Sequence, residues 1–363
     1  MTLAVPKILI LALLLVFTMG HRYLMVNIWL INAIASIALE KCIYMTKSCY
    51  RPFLLLNLCQ KNIFSVGSIV FGEVYFSTHH SFSVLSFFNP FNIPDFLMPY
   101  VLCVQATITF MIPWTLAVQF IYRYVALKHP SSLEYLYGGK RWLLWLLGLF
   151  VIAIGFAENM YCFGPMMENG DSGEFEDEIR EVLEMNKTST LNFVRFKLYE
   201  EVENGNWRFD KGMIGFSIMN LFNLIPLVII VVLGFKIYFG LKAKAKTQTD
   251  TADLTDDVKK QKYLFKALVV QTLTMIIFLY IPIFTNLILS IFHKESGILC
   301  TIGVLAFALY PVVDHTLVII AIDPFYKHVK DVLNNRYPKS PRVYPGPSID
   351  SDREMSTVRK SEA

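Results

Sequence analysis

Any chemistry this chain performs has to reckon with Arg123. It sits in Gln119-Phe120-Ile121-Tyr122-Arg123-Tyr124-Val125-Ala126-Leu127, at the end of an apolar run that begins near Phe96, and Lys128, His129 and Pro130 follow at once. A guanidinium in lipid is costly unless it faces the protein interior or reaches the membrane surface. Tyrosine favours the membrane interface, so Tyr122 and Tyr124 mark the place where a helix leaves the bilayer. Two uses fit the triplet: a polar contact to neighbouring helices, or a snorkelling arginine that only anchors a helix end. Enzyme chemistry has no comparable foothold, since there is no phosphate-cradling glycine loop, no HExxH and no GxSxG elbow. Cys42, Cys49, Cys59, Cys103, Cys162 and Cys300 form no CxxC pair and no His/Cys cluster, so neither a metal nor a cofactor is implied. His79-His80 lacks a third ligand nearby and reads as part of a solvated loop.

The elements that must position Arg123 are membrane spans. Hydrophobic residues make up 55% of the chain and charged residues 17%, and apolar stretches of span length recur throughout. The slight basic excess sits in particular loops and speaks to orientation rather than to nucleic acid. Residues 8–17 read either as the core of a signal peptide cut near residue 20 or as an extra apolar helix. From there the expected spans are one, 24–44; two, 53–72; three, 97–124, with Pro113; four, from Trp142, with Glu158 near its outer end; five, 212–239, with Pro226; six, 263–292, with Gln271 and Pro282; and seven, 298–322, with Pro311 and Asp314-His315. Glu158 either meets a polar ligand group or is wet at the membrane surface, and Gln271 suits an interhelical hydrogen bond. The segment 163–211 is acidic and carries the glycosylation acceptor Asn186-Lys187-Thr188. Within it Phe175, Ile179, Val182 and Leu183 recur at helical spacing behind Asp171 and Glu174, which predicts a short amphipathic helix across the outer mouth of the bundle. The stretch 73–96 has no lysine or arginine and reads as an outer loop.

Lysine and arginine set the orientation. Lys47 and Arg51, then Lys128, Lys140 and Arg141, then Lys242, Lys244 and Lys246 mark loops on one side, together with everything after span seven. The loops at 73–96 and 293–297 are nearly free of them. The amino end is therefore expected outside, with Asn186 outside and the tail in the cytoplasm. The domain division that follows is 1–20 as leader or extra helix, 21–335 as a seven-transmembrane domain, and 336–363 as a disordered cytoplasmic tail rich in proline, serine and charge.

The ordered set of motifs resembles a family. Phe120-Ile121-Tyr122-Arg123-Tyr124, the acidic Phe175-Glu176-Asp177-Glu178-Ile179-Arg180-Glu181, Leu264-Phe265-Lys266-Ala267-Leu268-Val269-Val270-Gln271-Thr272-Leu273 with Tyr280-Ile281-Pro282, and Leu309-Tyr310-Pro311-Val312-Val313-Asp314 are similar to the nematode chemosensory seven-transmembrane receptors of the Str superfamily, which also holds the Srd, Srh, Sri and Srj classes. The likeness runs from about residue 24 to 335. Met275 stands where the family commonly has a proline, so span six is expected to bend less there, and His315 stands where a proline usually follows the aspartate. Asn32 falls out of step with the family's span-one asparagine. The resemblance implies an all-α, G-protein-coupled receptor-like bundle of seven helices in the plasma membrane, with a sensory cilium as the expected site. It also implies an odorant-like small-molecule ligand and a heterotrimeric G protein as partners, beside the membrane lipid, and no enzyme activity.

On that reading Pro226, Pro282 and Pro311 bend spans five, six and seven around an outer-half cavity between spans three, five, six and seven. Tyr122, Arg123 and Tyr124 form the coupling end, and Asp314 is either a buried polar switch or a hydrated polar residue that only satisfies helix contacts. A covalent link between Cys103 and Cys162 is open, because both lie toward the outer side. Two rivals come from other classes. A secondary transporter would show paired interrupted helices and midplane charges; no repeat is evident, and the clear charges lie toward helix ends except Asp314. A ligand-gated channel of the insect odorant-receptor type would have the opposite orientation.

Overall fold

The computed structural model describes residues 51–78, 80–86, 96–138, 140–164, 191–202, 206–247, 252–292 and 297–322, with a few residues between and beyond them. The expected leader, span one with Asn32, the sequon at Asn186, the residues Asp171 and Glu174, and the tail lie outside the described residues. Spans two to seven appear where the apolar runs place them: Arg51–Phe71, Met98–Lys128, Trp142–Phe163, Lys211–Thr247, Ala252–Ile291 and Gly297–Ala321. Five of these six, all but Arg51–Phe71, are long and apolar enough to cross a membrane. Span three is the hub. It packs against spans two, four, five and six, and it buries residues on all sides, from Met98 through Leu127. Spans four and five turn Leu144, Leu147, Phe150, Phe235 and Phe239 outward, each more than half exposed, as lipid-facing helices do. A short helix, Pro130–Tyr137, follows span three, and its Tyr137 is sandwiched between Tyr122 and Trp145 at ring distances of 4.9 and 5.2 Å.

At the end of the bundle opposite Arg123, the described loop residues form strands. Gly72, with φ 59°, takes the left-handed turn that ends span two, and its N–H reaches back to the Ser68 carbonyl. The chain then forms strands β1 (Glu73–Ser77) and β2 (Ser81–Ser86), an antiparallel hairpin, and β3 (Asn192–Lys197) joins the free edge of β2. Strand alternation sorts the side chains between two faces. Tyr75, Phe82, Val84, Val194 and Phe196 join the core of the bundle, while Val74, Phe76 and Leu85 pack with Phe175 and Ile179 on the other side. Phe175–Asp177, Ile179 and Arg180 are helical, which places the expected outer helix over the sheet. The remaining strands, β4 (Tyr199–Val202) and β5 (Asn206–Phe209), form a separate hairpin before span five.

Span six departs from α geometry after Met275. Ile276–Tyr280 is a π-helical turn, in which the Ile281 N–H reaches the Ile276 carbonyl five residues back, and Pro282 follows. Against the expectation that span six bends less near Met275, the π-helical turn begins directly after that residue. Pro282 cannot donate to the helix ladder, and an inserted turn of this kind is one way a helix takes up such a mismatch.

Candidate functional site

Arg123 lies at the inner end of span three, 5% exposed. Its Nη1 donates to the Gln261 Oε1 of span six at 3.3 Å, and its guanidinium stands 5.6 Å from the Tyr122 ring centre. The side chain therefore points into the bundle and contacts a neighbouring span, rather than reaching for the membrane surface. Span five is tied to the same end: Lys244 Nζ donates to the Leu127 carbonyl at 2.9 Å, and Lys236 Nζ stands 5.8 Å from the Tyr124 ring centre. Three spans thus converge around the triplet. Nothing about Gln261 distinguished it in the sequence, where it reads as one more polar residue of a charged helix extension.

Asp314 is fully buried, and its partner is Lys61 of span two, with Nζ and Oδ2 2.5 Å apart. Lys61 is 1% exposed and lies midway along Arg51–Phe71, so the expectation that clear charges other than Asp314 sit near helix ends does not hold. A signal for it existed. A lone lysine at the centre of an apolar run needs an interior partner, and Asp314 is the only acid within the apolar part of span seven. Gln271 of span six lies beside the Asp314 carboxyl. The Tyr310 ring stands 5.7 Å from Lys61 Nζ.

The outer half that the sequence reading assigns to a ligand is filled by the β1–β2 hairpin. Tyr75 packs edge-on against Phe110 of span three and Phe307 of span seven, at 6.0 and 5.1 Å between ring centres. Phe82 lies 5.3 Å from Phe216 of span five. Asn286 of span six donates to the Tyr75 carbonyl at 3.2 Å, and Ser290 donates to Ser77 Oγ at 2.8 Å. Beneath the hairpin a crevice remains between spans three, five and six, lined by Thr109, Pro113, Asn220, Asn223, Tyr280 and Phe284. Tyr280 spans it, donating to the Asn223 carbonyl at 2.8 Å. Glu73, at the start of β1, is buried with Tyr75 Oη donating to its Oε1 at 2.5 Å. Burial lifts its carboxyl from the ordinary 4.5 to about 7, with hydrogen bonds from Tyr75 and Gln105 opposing the rise.

Other expected residues separate. Cys103 and Cys162 are both free thiols, Cys103 buried and Cys162 exposed, so the disulfide left open above is not formed. Cys103 belongs to the aromatic core of the bundle, whereas Cys162 is turned away from it. Glu158 is exposed, in keeping with a wet residue near the membrane surface. Pro226 and Pro311 lie inside unbroken helices. Among the described residues no group of His, Cys, Asp and Glu could hold a metal ion.

A bundle of apolar spans with a buried arginine at one end and a hairpin seated in the other is a multi-span helical membrane fold. The family model for the serpentine type 7TM GPCR chemoreceptor Str matches residues 16–330. The chain belongs to this family of seven-transmembrane chemoreceptors, and its family is one of receptors rather than enzymes. Among curated proteins it is 28% identical over 222 residues to the serpentine receptor class r-10 of Caenorhabditis elegans, covering 60% of this chain and 61% of that protein. It is likewise 28% identical over 217 residues to the class r-10 receptor of Caenorhabditis briggsae, covering 58% and 60%. The matches thus span about three fifths of the relatives' length.

Proposed function

We propose that this protein binds a small, mostly apolar ligand from the outer side and activates a heterotrimeric G protein on the cytoplasmic side. The observation that carries the reading is the contact of Arg123 with Gln261, which ties span three to span six at the inner end. A ligand favouring a packing with these spans apart would shift the population by its differential affinity. Arg123, Tyr122 and Tyr124 would then face the G protein together with the basic ends of spans five and six. The crevice around Tyr280 and Asn223 lies next to the π turn, and such turns recur at functional sites; at about 20 Å³ it has room for roughly one water in this packing, so a ligand there requires the spans to part. Pro226, Pro282 and Pro311 supply places where the helices can bend. Plasma-membrane placement on a sensory cilium, with the amino end outside, follows from the same reading.

The experiment is nucleotide exchange on a panel of purified G proteins, driven by the receptor in membranes under a screen of volatile and water-soluble small molecules. Arg123→Ala is expected to reduce ligand-driven exchange at least about tenfold per folded receptor, the rates being normalised to the amount of folded protein because Arg123 is buried and its loss also touches packing. Unchanged exchange in Arg123→Ala would overturn the assignment of the triplet.

A further inference from the structure

We infer that Lys61 is the built-in counter-ion of Asp314 and that this pair is the bolt holding spans two and seven in the resting packing. The inference rests on the receptor reading above and adds the element that selects between packings.

The first argument is position. Lys61 lies ten residues from either end of Arg51–Phe71, so its Cα is about 15 Å from both helix ends. Its side chain cannot reach water from there and must be neutralised inside. The apolar stretches of spans two, three, five, six and seven contain a single acid, Asp314. The two meet at 2.5 Å with both side chains at most 2% exposed. Among the described residues the two form one ion pair, with Gln271 beside the Asp314 carboxyl and the buried His315 next to it in sequence.

The second argument is what surrounds the pair. Tyr310, Pro311 and Asp314 lie within one helical turn of span seven. Pro311 has no N–H to give to the Phe307 carbonyl, which makes this turn the weakest in the ladder. The Tyr310 ring is wedged between Lys61 and Phe64, 6.3 Å from the Phe64 ring centre. Below the pair, Val318, Ile319 and Ile322 pack with Leu58 of span two and Ala267 of span six, a small cluster separate from the main core. Tyr263 borders that cluster two residues from Gln261, the partner of Arg123. A swing of span seven about Pro311 therefore has to part Lys61 from Asp314 first. It then opens the small cluster, and only after that reaches the contact that holds Arg123.

The third argument is energetic. A buried ion pair adds little net stability compared with apolar side chains of the same volume, yet losing one partner is costly. Such a pair is a poor choice for glueing two helices and a good choice for permitting one register and rejecting others. Asn57, one turn below Lys61, is buried, and its Oδ1 lacks a hydrogen-bond partner among the described residues. That leaves an acceptor for the ammonium to take when it leaves the aspartate.

The test uses full-length receptor in nanodiscs, with spin labels at the lipid-facing positions Ile63 and Ile320, which are 55% and 54% exposed. Lys61→Met alone strands a buried carboxylate, and folded yield is expected to drop about tenfold. The neutral pair Lys61→Met with Asp314→Leu is expected to recover that yield, to add a second population to the inter-label distance distribution, and to raise ligand-free nucleotide exchange several-fold. A second variant, Asp314→Glu, keeps both charges but lengthens the acid by one methylene. It is expected to fold like the parent and to shift the distance distribution even if the neutral pair fails to fold. A parental distance distribution in whichever of these variants folds would overturn the bolt and leave the pair a folding element. A second population with no exchange by parent or variant on any G protein would instead sink the coupling reading and leave the bolt standing.

Discussion

At the scale of single residues, the informative groups are charges in places where charge is costly. Glu73 carries a pH signature. Its carboxyl holds a proton up to about pH 7 while the hairpin is seated, and a hairpin lifted into water would release it near the ordinary 4.5. The seated state therefore binds the proton more tightly. Seating is strongest below the lower value, weakens as pH climbs through the window between the two, and levels off above the upper one. Each tenfold change in proton concentration in that window is worth about 1.4 kcal/mol, so the swing is at most about 3 kcal/mol. Hydrogen exchange at the amides of Val74–Ser77, corrected for intrinsic rates, should show more protection near about pH 5 than near about pH 8. Glu73→Gln should abolish that difference, and an unchanged pH profile in this variant would remove Glu73 as its cause. Arg123 was legible in the sequence because its type, its flanking tyrosines and the charges after it all mark a helix end. Gln261 was not, because a glutamine in a charged extension has no reason to be singled out until its partner is seen.

At the scale of elements, helix contacts depend on where backbones can approach. Span five meets span four at Gly215, where an added Cβ would lie 2.1 Å from Phe163 Cβ, and Asn159 Nδ2 donates to the Gly215 carbonyl at 2.9 Å. The obstructing atoms, Phe163 Cβ and Cγ, are not the free end of a flexible side chain, so Gly215→Ala must push the helices apart. A cost of about 1–3 kcal/mol is expected, read as a lower unfolding temperature of the purified receptor. Gly155 of span four meets nothing within 4 Å of its own added Cβ. Gly155→Ala should therefore be neutral or slightly stabilising, by up to about 1 kcal/mol from helix propensity. Equal effects at the two glycines would mean that spans four and five do not pack as described. The hairpin is the element that the sequence reading left as an outer loop. Its alternation in Ser81-Phe82-Ser83-Val84-Leu85-Ser86 was present, but a two-stranded hairpin is marginal alone. What holds it is a third strand contributed from more than a hundred residues away in sequence, together with the aromatic rings of spans three, five and seven.

At the scale of the whole molecule, orientation decides between a receptor and an inverted sensory channel. The expected outcome in intact cells is a glycan on Asn186 and a tail epitope that antibody reaches only after the membrane is opened. Loss of the glycan in Asn186→Gln, read as a mobility shift, checks the site itself. A tail exposed on intact cells would contradict both the loop charges and the proposed coupling end, and membrane conductance would become the property to measure. Arg123 and Glu73 lie at opposite ends of the bundle, so on the proposed function a ligand acting at the mouth would work through the spans between. Lys61 and Asp314 lie on that route.

The sequence by itself determined the membrane class, the six described spans to within a few residues except at the inner ends of spans three, five and six, the amphipathic outer helix through Phe175 and Ile179, and the family through motifs in fixed order. These are local properties: apolar length, helical period and the charge of a loop are each written in consecutive residues. Which polar groups meet was decided only by the tertiary structure. Lys61 and Asp314 are 253 residues apart, Arg123 and Gln261 are 138 apart, and β2 finds β3 across spans three and four. Lipid gives a buried charge no alternative partner, so the sequence shows that each must be satisfied. Only the packing of the helices says by which residue.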